Sequence, residues 1–223
     1  MKPVIIGNAE LWLGDCMDYM KPSPDKVFDL AIVDPPYGIA RLSVIENKDP
    51  DSKFRRSMSR MVDSANRWNS GKPTPEYFAE LFRVSKEQIV WGANNFNLPE
   101  SEYFCVWDKQ QTVDNFASAE YAWVSMNEWK KPAKVFRYQI HAANAIEKKI
   151  HPTQKPVKLY EWLLTNYAKP GQTILDTHLG SGSSAIACNN MGYKLVGIEK
   201  DEDYFNAACE RIDQAQRQGR LFV

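Results

Sequence analysis

The chain has 223 residues, of which 43% are hydrophobic and 25% are charged, and its formal net charge at pH 7 is zero. This length and composition suit a single domain with a full hydrophobic core, and they exclude a disordered or low-complexity chain. The four cysteines are far apart and form no Cys-X-X-Cys pair, which argues against disulfides and against a metal site. No apolar run reaches the roughly 18 residues of a membrane span. We therefore expect a cytoplasmic protein.

Short apolar runs alternate with helix-like segments near both ends of the chain, which predicts βα units on a mostly parallel sheet. The first clear strand, residues 28–33, stops at two prolines that cannot continue a strand ladder. Residues 39–74 lack periodicity and predict a long loop, and a loop of that length in a compact domain is usually functional or disordered. Further strands are predicted over residues 88–91, 103–107, 121–126, 135–138, 173–176 and 194–198. Helices are predicted over residues 75–85, 157–168 and 203–216, with another ending near residue 191.

Residues 173–182 pass from an apolar strand into a turn that contains Gly180 and Gly182, and then into a helix. Glycine is needed where a bound nucleoside approaches backbone atoms that a Cβ would shield. The next strand ends at Glu199, where an acidic side chain can accept hydrogen bonds from both ribose hydroxyls. The loop lacks the Gly-Lys-Ser/Thr of nucleotide triphosphatases. The pattern predicts a nucleoside cofactor, while a dinucleotide site or a purely structural turn stays open.

The tetrapeptide Asp34-Pro35-Pro36-Tyr37 follows the first predicted strand. It combines a carboxylate, two prolines with restricted φ and an aromatic ring. The Asp34 carboxylate and the Pro35 carbonyl could accept both N–H groups of a planar exocyclic amine while Tyr37 stacks on the ring that bears it. An ordinary strand-ending turn is the alternative.

These motifs carry a family resemblance. Residues 34–37 resemble the catalytic motif of S-adenosylmethionine-dependent amino-methyltransferases that act on DNA, and residues 176–182 resemble their cofactor motif. Three further segments match: Leu-Gly-Asp-Cys at 13–16, Val-Trp-Gly-Ala-Asn at 90–94 and His-Pro-Thr-Gln-Lys-Pro at 151–156. The catalytic motif precedes the cofactor motif, as in the circularly permuted β-class.

The resemblance implies one methyltransferase domain over residues 1–223 with a Rossmann-like class I fold. This fold is α/β, with a mostly parallel mixed sheet and helices on both faces. The resemblance also implies that Asp34, Pro35, Pro36 and Tyr37 are catalytic. It further implies that S-adenosylmethionine is bound by Asp15, Cys16, Thr153, Lys155, Asp176, His178, Gly180, Ser181, Gly182 and Glu199. The sequence departs from the family at Thr177-His178, where Pro-Phe is usual, which leaves the affinity for the cofactor in question.

Methyl transfer to the N6 amine of a flipped-out adenine is the activity that the resemblance implies, because Asp is usual at the head of the motif in adenine enzymes. Cytosine N4 in DNA and adenine N6 in RNA remain alternatives with the same chemistry. A non-catalytic methyltransferase-like module and a dinucleotide oxidoreductase are alternatives of other classes. Whether the enzyme belongs to a restriction-modification pair and whether it forms a homodimer stay open.

Two stretches of the chain are basic although its total charge is zero. Residues 41–72 hold eight Lys or Arg and four acids, and residues 128–155 hold seven and two. They coincide with a mobile active-site and DNA-binding loop, residues 39–74, and with a minimal target-recognition segment, residues 127–150. Because both flank the predicted site, we expect them to bind the phosphates of double-stranded DNA. The candidate contacts are Arg55, Arg56, Arg60, Lys130, Lys131 and Lys134. Ordinary solvated loops are the alternative.

Overall fold

The computed structural model describes residues 2–38, 71–111, 117–125, 133–139, 147 and 149–220. Within these residues, the backbone forms one nine-stranded sheet flanked by five α-helices. The strands are β1 (Val4–Ile6), β2 (Ala9–Leu13), β3 (Phe28–Val33), β4 (Ser85–Trp91), β5 (Phe104–Asp108), β6 (Ala119–Val124), β7 (Ala133–Arg137), β8 (Thr173–Asp176) and β9 (Lys194–Glu199). The helices are α1 (Cys16–Met20), α2 (Pro75–Val84), α3 (Val157–Tyr167), α4 (Ser183–Met191) and α5 (Glu202–Arg220).

The sheet is mixed and mostly parallel. Its strand order is β1-β2-β9-β8-β3-β4-β6-β5-β7. Strands β2, β9, β8, β3 and β4 run parallel to one another, and β7 runs parallel to β5. Strands β1 and β6 are antiparallel to their neighbours. The predicted α/β class with a mostly parallel mixed sheet is confirmed.

The side chains of β3 show how the helices divide between the two faces of the sheet. Leu30 and Ile32 pack in one buried cluster with residues of α3, α4 and α5. Ala31 and Val33 pack in a second cluster with residues of α1 and α2. Successive side chains of a strand point to opposite faces, so each face of β3 is covered by helices. The continuous apolar sequence of β3 reflects this burial on both sides.

The strand order reverses between β8 and β3. From β3 the chain moves to β4 on one side, whereas from β8 it moves to β9 on the other side. In open α/β sheets, ligands bind beyond the carboxyl ends of the strands at such a switch point. Because β3 is followed by Asp34 and β8 ends at Asp176, the topology places both predicted motifs at that point.

Several local details differ from the sequence prediction; β6, for example, spans Ala119–Val124 and not residues 121–126. Helix α2 begins at Pro75 with Thr74 as its N-cap, as expected, but it passes directly into β4 at Ser85 without a loop. The Ser85 hydroxyl donates to the Leu81 carbonyl at 2.5 Å, so this carbonyl of the last helical turn has a hydrogen-bond partner. The N-terminal strands β1 and β2 and the short helix α1 were not located by the sequence analysis.

Much of the predicted DNA-binding surface lies outside the described residues. This applies to residues 39–70 of the loop and to residues 126–132 and 140–146 around the recognition segment. Within that segment, residues 133–137 form β7, the outermost strand of the sheet. In the part of the chain that the structure describes, no helix is long and apolar enough to cross a membrane.

Candidate active site

Parallel strands bring the predicted site residues to one edge of the sheet. β3 ends immediately before Asp34, β8 ends at Asp176 and β9 ends at Glu199. β2 lies beside β9 and leads to Asp15, the N-cap of α1, whose carboxylate accepts a hydrogen bond from the Met17 amide at 2.9 Å. Residues that are far apart in the sequence therefore meet at the carboxyl edge of the sheet.

A cavity of about 590 Å³ opens at this edge. Such a volume lies in the range of about 300–1,000 Å³ that is typical of small-molecule sites. Four of the predicted cofactor residues line the cavity, and Pro36 of the catalytic turn lines it as well. The four are Asp15, Cys16, His178 and Glu199. The cavity thus connects the predicted cofactor residues to the turn at residues 34–37, which is predicted to be catalytic.

The Glu199 carboxylate is already partly satisfied by the backbone. Its Oε2 accepts from the Gly180 amide at 2.8 Å, and its Oε1 accepts from the amides of Lys200 and Asp201 at 2.9 and 3.0 Å. Because each carboxylate oxygen offers about two acceptor positions, Oε2 retains one for a ligand. The predicted pair of bonds to both ribose hydroxyls would require one backbone bond to open.

The glycines of the loop are required by its own conformation. Gly180 and Gly182 have φ angles of +53° and +73°, in the left-handed region. A Cβ on Gly182 would also lie 2.7 Å from Ile212 Cδ1 of α5. These two constraints explain both glycines without a ligand, so the glycine pattern alone does not establish a cofactor site.

Asp176 does not line the cavity, but its side chain holds the start of the loop. Its two oxygens accept hydrogen bonds from the His178 amide at 3.1 Å and from the Ser184 hydroxyl at 2.6 Å. Burial raises the pKa of the Asp176 carboxyl to about 7. The predicted residues Gly180, Ser181 and Gly182 likewise shape the loop and are not among the residues that line the cavity.

Two reactive side chains of the cavity are uncharged. Burial raises the pKa of the Cys16 thiol to about 12, so this cysteine is a thiol at neutral pH and a poor nucleophile. Burial lowers the pKa of His178 to about 4, and its Nδ1 lies 2.9 Å from the Thr177 hydroxyl. At neutral pH both side chains are therefore uncharged groups of the cavity lining.

Thr153 and Lys155 do not line the cavity. The Thr153 hydroxyl lies 3.1 Å from Nδ1 of His151, whose ring in turn lies 4.3 Å from the ring of Tyr204. Lys155 is buried, and its ammonium donates to the Asp34 carboxylate. Of the predicted cofactor residues, Lys155 is thus the one that the structure joins to the catalytic turn.

Internal partners occupy both oxygens of Asp34. The Tyr37 hydroxyl donates to Oδ1 at 2.5 Å, and Lys155 Nζ donates to Oδ2. The Tyr37 ring packs on Gly92, where a Cβ would lie 2.1 Å from the ring, and makes an edge contact with Phe96 at 6.1 Å between centroids. Burial raises the pKa of Asp34, an effect that the Lys155 charge opposes. By the same count of two acceptor positions per carboxylate oxygen, Oδ1 retains one position beside the Tyr37 hydroxyl.

Sequence reasoning missed two charged residues of the site. Because β6 runs antiparallel to β4, β6 begins at the carboxyl edge of the parallel strands, and Glu120 lies there. Glu120 Oε2 lies 3.0 Å from Lys155 Nζ. Its Oε1 lies 2.5 Å from Lys109 Nζ. The sequence pattern of β6 does not predict the contact between Glu120 and Lys155. That contact depends on the register between strands that are distant in the sequence.

Among the predicted DNA contacts, the structure describes Lys134 alone. It lies on β7, four strands from β3, which corresponds to roughly 19 Å at about 4.8 Å per strand. Its ammonium donates to Asn166 at 2.9 Å and lies 5.5 Å from the centre of the Tyr167 ring. Arg55, Arg56, Arg60, Lys130 and Lys131 lie outside the described residues.

The chain belongs to a family of DNA methylases: the family model N6_N4_Mtase, described as DNA methylase, matches residues 59–210. The match includes the glycine loop and Glu199, but it does not include Asp34 to Tyr37. One relative, the type II methyltransferase M.HinfI of Haemophilus influenzae, is 22% identical over 89% of this chain and 67% of its own length. The match to a second relative, the type II methyltransferase M2.DpnII of Streptococcus pneumoniae, covers 49% of the length of that protein.

Solved structures show the same fold. The M1.HpyAVI–SAM complex superimposes with a TM-score of 0.54 and 19% identity, over 92% of this chain and 99% of that protein. The PvuII DNA methyltransferase, described as cytosine-N4-specific, has a TM-score of 0.60 and 14% identity over 97% of this chain and 94% of that protein. These likenesses confirm the class I methyltransferase fold that the sequence predicts.

Proposed function

We propose that this protein transfers a methyl group from S-adenosylmethionine to the exocyclic N6 amine of adenine in DNA. The observation that carries the proposal is the position of the catalytic turn. The buried Asp34 carboxylate lies beside Pro36, which lines the same cavity as Asp15 and Glu199. An amine acceptor and a nucleoside site thus adjoin one another at the switch point of the sheet.

The described residues fit S-adenosylmethionine. Glu199 Oε2 retains an acceptor position at the cavity for a ribose hydroxyl, and the neutral Cys16 and His178 offer apolar contact. When bound, the cofactor supplies a methyl group on a sulfonium, whose sulfur keeps the electron pair of the broken C–S bond as the amine nitrogen forms the new bond. A solved neighbour of the same fold, M1.HpyAVI, is a SAM complex, which supports this choice.

Asp34 and Pro35 activate the amine by hydrogen bonding. The lone pair of an exocyclic amine is delocalised into the ring, so the nitrogen is a weak nucleophile. Acceptance of its two N–H groups by the Asp34 carboxylate and the Pro35 carbonyl localises that pair for in-line attack on the methyl carbon. The nitrogen becomes positively charged and then loses a proton. Positioning and preorganised electrostatics supply much of the rate.

The target base must leave the duplex to reach Asp34. Flipping a base out costs a few kcal/mol. Stacking on an aromatic ring returns about 1–3 kcal/mol, and Tyr37 is the ring placed to provide it. The Tyr37 hydroxyl takes one acceptor position of Asp34 Oδ1, and the incoming amine binds at the second position as the base stacks.

Cytosine N4 is the second candidate target. The PvuII enzyme, which is described as cytosine-N4-specific, shares this fold. The resemblance of residues 34–37 to the adenine form of the motif favours adenine. Mass spectrometry of nucleosides from treated DNA distinguishes N6-methyladenine from N4-methylcytosine, and the same measurement on treated RNA tests the RNA alternative.

The decisive experiment compares Asp34→Asn with Asp29→Asn, a matched change on β3 itself. Asp29 is half-buried, accepts from the Thr173 amide at 2.9 Å and pairs with Lys86. We expect Asp34→Asn to lower methyl transfer by roughly 10²–10³-fold or more while the Kd for S-adenosylmethionine stays within a few fold. Asp29→Asn should retain transfer.

Two outcomes would contradict the proposal. Turnover by Asp34→Asn close to the wild-type rate would remove Asp34 from catalysis. Tight binding of S-adenosylmethionine by the wild type without methylation of DNA or RNA would instead support the non-catalytic module.

A further inference from the structure

Four alternating charges run from the catalytic turn into the sheet. Lys155 Nζ binds Asp34 Oδ2 and lies 3.0 Å from Glu120 Oε2, while Glu120 Oε1 lies 2.5 Å from Lys109 Nζ. The residues come from four places: Asp34 follows β3, Lys109 follows β5, Glu120 is on β6, and Lys155 precedes α3. Lys155 is buried, with its side chain 2% exposed, whereas Glu120 is half-buried, with its side chain 22% exposed and its Oε2 enclosed.

The fold does not require two carboxylates on Lys155. A buried ammonium must be paired, and Asp34 alone supplies one opposite charge. Glu120 adds a second buried charge with its own desolvation cost, and Lys109 in turn compensates Glu120. The contact between Lys155 and Glu120 Oε2 has the distance of an ion pair, so coulombic attraction contributes to it.

This second carboxylate competes with Asp34 for the ammonium. An ammonium that served Asp34 alone would draw negative charge away from the oxygen atoms that must accept the target amine. We propose that Glu120 is a positioning residue for methyl transfer, which shares the Lys155 ammonium and thereby makes Asp34 a stronger hydrogen-bond acceptor for the amine. The inference rests on the proposed function, because it assigns Asp34 to the amine.

The protonation of Asp34 reports this sharing. Burial raises the pKa of Asp34, Lys155 lowers it and the charge of Glu120 raises it further. Burial acts against Glu120 too, but Lys155 and Lys109 hold the pKa of Glu120 at about 2, so it is charged at working pH. Among the residues that the structure describes, the titratable and charged groups around Asp34 are Tyr37, Tyr77, Glu120, Lys155, Tyr160 and Asp176.

The test is the pH dependence of single-turnover methyl transfer on a DNA that the wild type methylates. In Glu120→Gln we expect the plateau rate to fall roughly 10- to 100-fold, because Lys155 then serves Asp34 alone. The acidic limb of the profile should also move to lower pH, because the charge that raises the pKa of Asp34 is gone. The Kd for S-adenosylmethionine and the KM for DNA should not change.

Two further variants distinguish charge sharing from a structural role. Glu120→Asp should recover part of the lost rate. Glu87→Gln is the matched control, since Glu87 is a half-buried carboxylate on the neighbouring strand β4 that accepts from the Ser125 hydroxyl at 2.8 Å, away from the catalytic turn. It should leave both the rate and the acidic limb as in the wild type.

Three results would overturn the inference. The first is a wild-type rate in Glu120→Gln, and the second is a lower rate with the acidic limb unmoved, which a structural role predicts. In both cases the wild type still methylates, so the proposed function stands. The third is the absence of methyl transfer by the wild type, in which case the inference fails together with the proposed function.

If Glu120→Gln does not fold, Lys109→Gln tests the same role of Glu120. Lys109→Gln leaves the Glu120 charge uncompensated, so Glu120 acts more strongly on Lys155 and Asp34. The acidic limb should then move to higher pH, opposite to its movement in Glu120→Gln. A limb that stays in place in Lys109→Gln would contradict the inference.

Discussion

Tyr37 serves the catalytic turn with two different parts of its side chain. Its hydroxyl binds Asp34 Oδ1 at 2.5 Å, whereas its ring packs on Gly92 and against the edge of Phe96. The hydroxyl thus satisfies a buried carboxylate when no amine is bound, and the ring is the part that a flipped base would use. Substitutions can separate the two.

We expect Tyr37→Phe to methylate DNA within a few fold of the wild-type rate, because the ring remains and the amine replaces the lost hydroxyl on Asp34. Tyr37→Ala removes stacking worth about 1–3 kcal/mol, so the flipped population should fall roughly 5- to 150-fold. The fluorescence of 2-aminopurine at the target position measures that population. Equal fluorescence with Tyr37→Ala and the wild type would contradict a stacking role.

At the scale of single residues, the sequence predicts which residues belong to the site better than it predicts which side chains they contact. Asp34 follows β3 and Glu199 is the last residue of β9, and these strands are parallel, so a local pattern is enough to place both residues at one edge. Lys155 was expected at the cofactor because of the motif around it. Its contact with Glu120 depends on the antiparallel register of β6 against β4, which no short-range pattern encodes.

At the scale of elements, the Arg211 guanidinium connects α5 to the glycine loop at residues 177–182. Arg211 donates to the Ser181 carbonyl at 2.7 Å and the Ser183 hydroxyl at 3.0 Å, and it pairs with Glu147 at 2.6 Å. Glu147 also accepts from the Val157 amide at the first turn of α3. The loop that holds Gly180 and Gly182 is therefore fixed to two helices by side chains that the sequence analysis did not single out.

Arg211→Met tests this connection against Arg217→Met on the same helix. The Arg211 side chain is 13% exposed, and its loss leaves Glu147 without its cation, so the free energy of unfolding should fall by about 1–3 kcal/mol. The Kd for S-adenosylmethionine should rise, because the loop loses a support. Arg217 is 77% exposed and pairs with Asp213 on the surface, so its loss should change stability by less than about 0.5 kcal/mol.

Denaturant unfolding and calorimetric titration measure the two effects. Equal destabilisation by both variants would mean that the buried geometry of Arg211 adds nothing. A destabilised Arg211→Met with an unchanged Kd would restrict its role to the fold.

Elements with long or regular patterns were predicted well, and those governed by tertiary pairing were not. Helix α3 and strands β8 and β9 lie within one residue of their predicted bounds, because apolar periodicity and flanking Gly or Pro define them. The hairpin of β1 and β2 was missed because its strands have only three and five residues, which is too short for a clear periodic pattern.

The whole molecule is neutral, but its charge is unevenly distributed along the chain. The structure changes one part of the charge count, since Lys155 is buried on Asp34 and Glu120 and cannot bind phosphate. Lys134 is also engaged, by Asn166. The basic excess that we expect to reach DNA therefore depends on residues 41–72, on Lys130 and Lys131, and on the exposed Arg137 and Lys149.

We expect the affinity for duplex DNA to fall steeply with salt, because each neutralised phosphate releases counterions. Replacing Arg55, Arg56 and Arg60 together by Gln should reduce the slope of log K against log salt by roughly 2 to 3, at about 0.9 per phosphate contact. A double Gln replacement of Lys169 and Lys194 is the control. Both are exposed and lie near the amino ends of the parallel strands, away from the catalytic turn. Fluorescence anisotropy across a salt series gives the slopes. Binding by the wild type that does not respond to salt, or an unchanged slope in the triple variant, would contradict a phosphate-binding loop beside the active site.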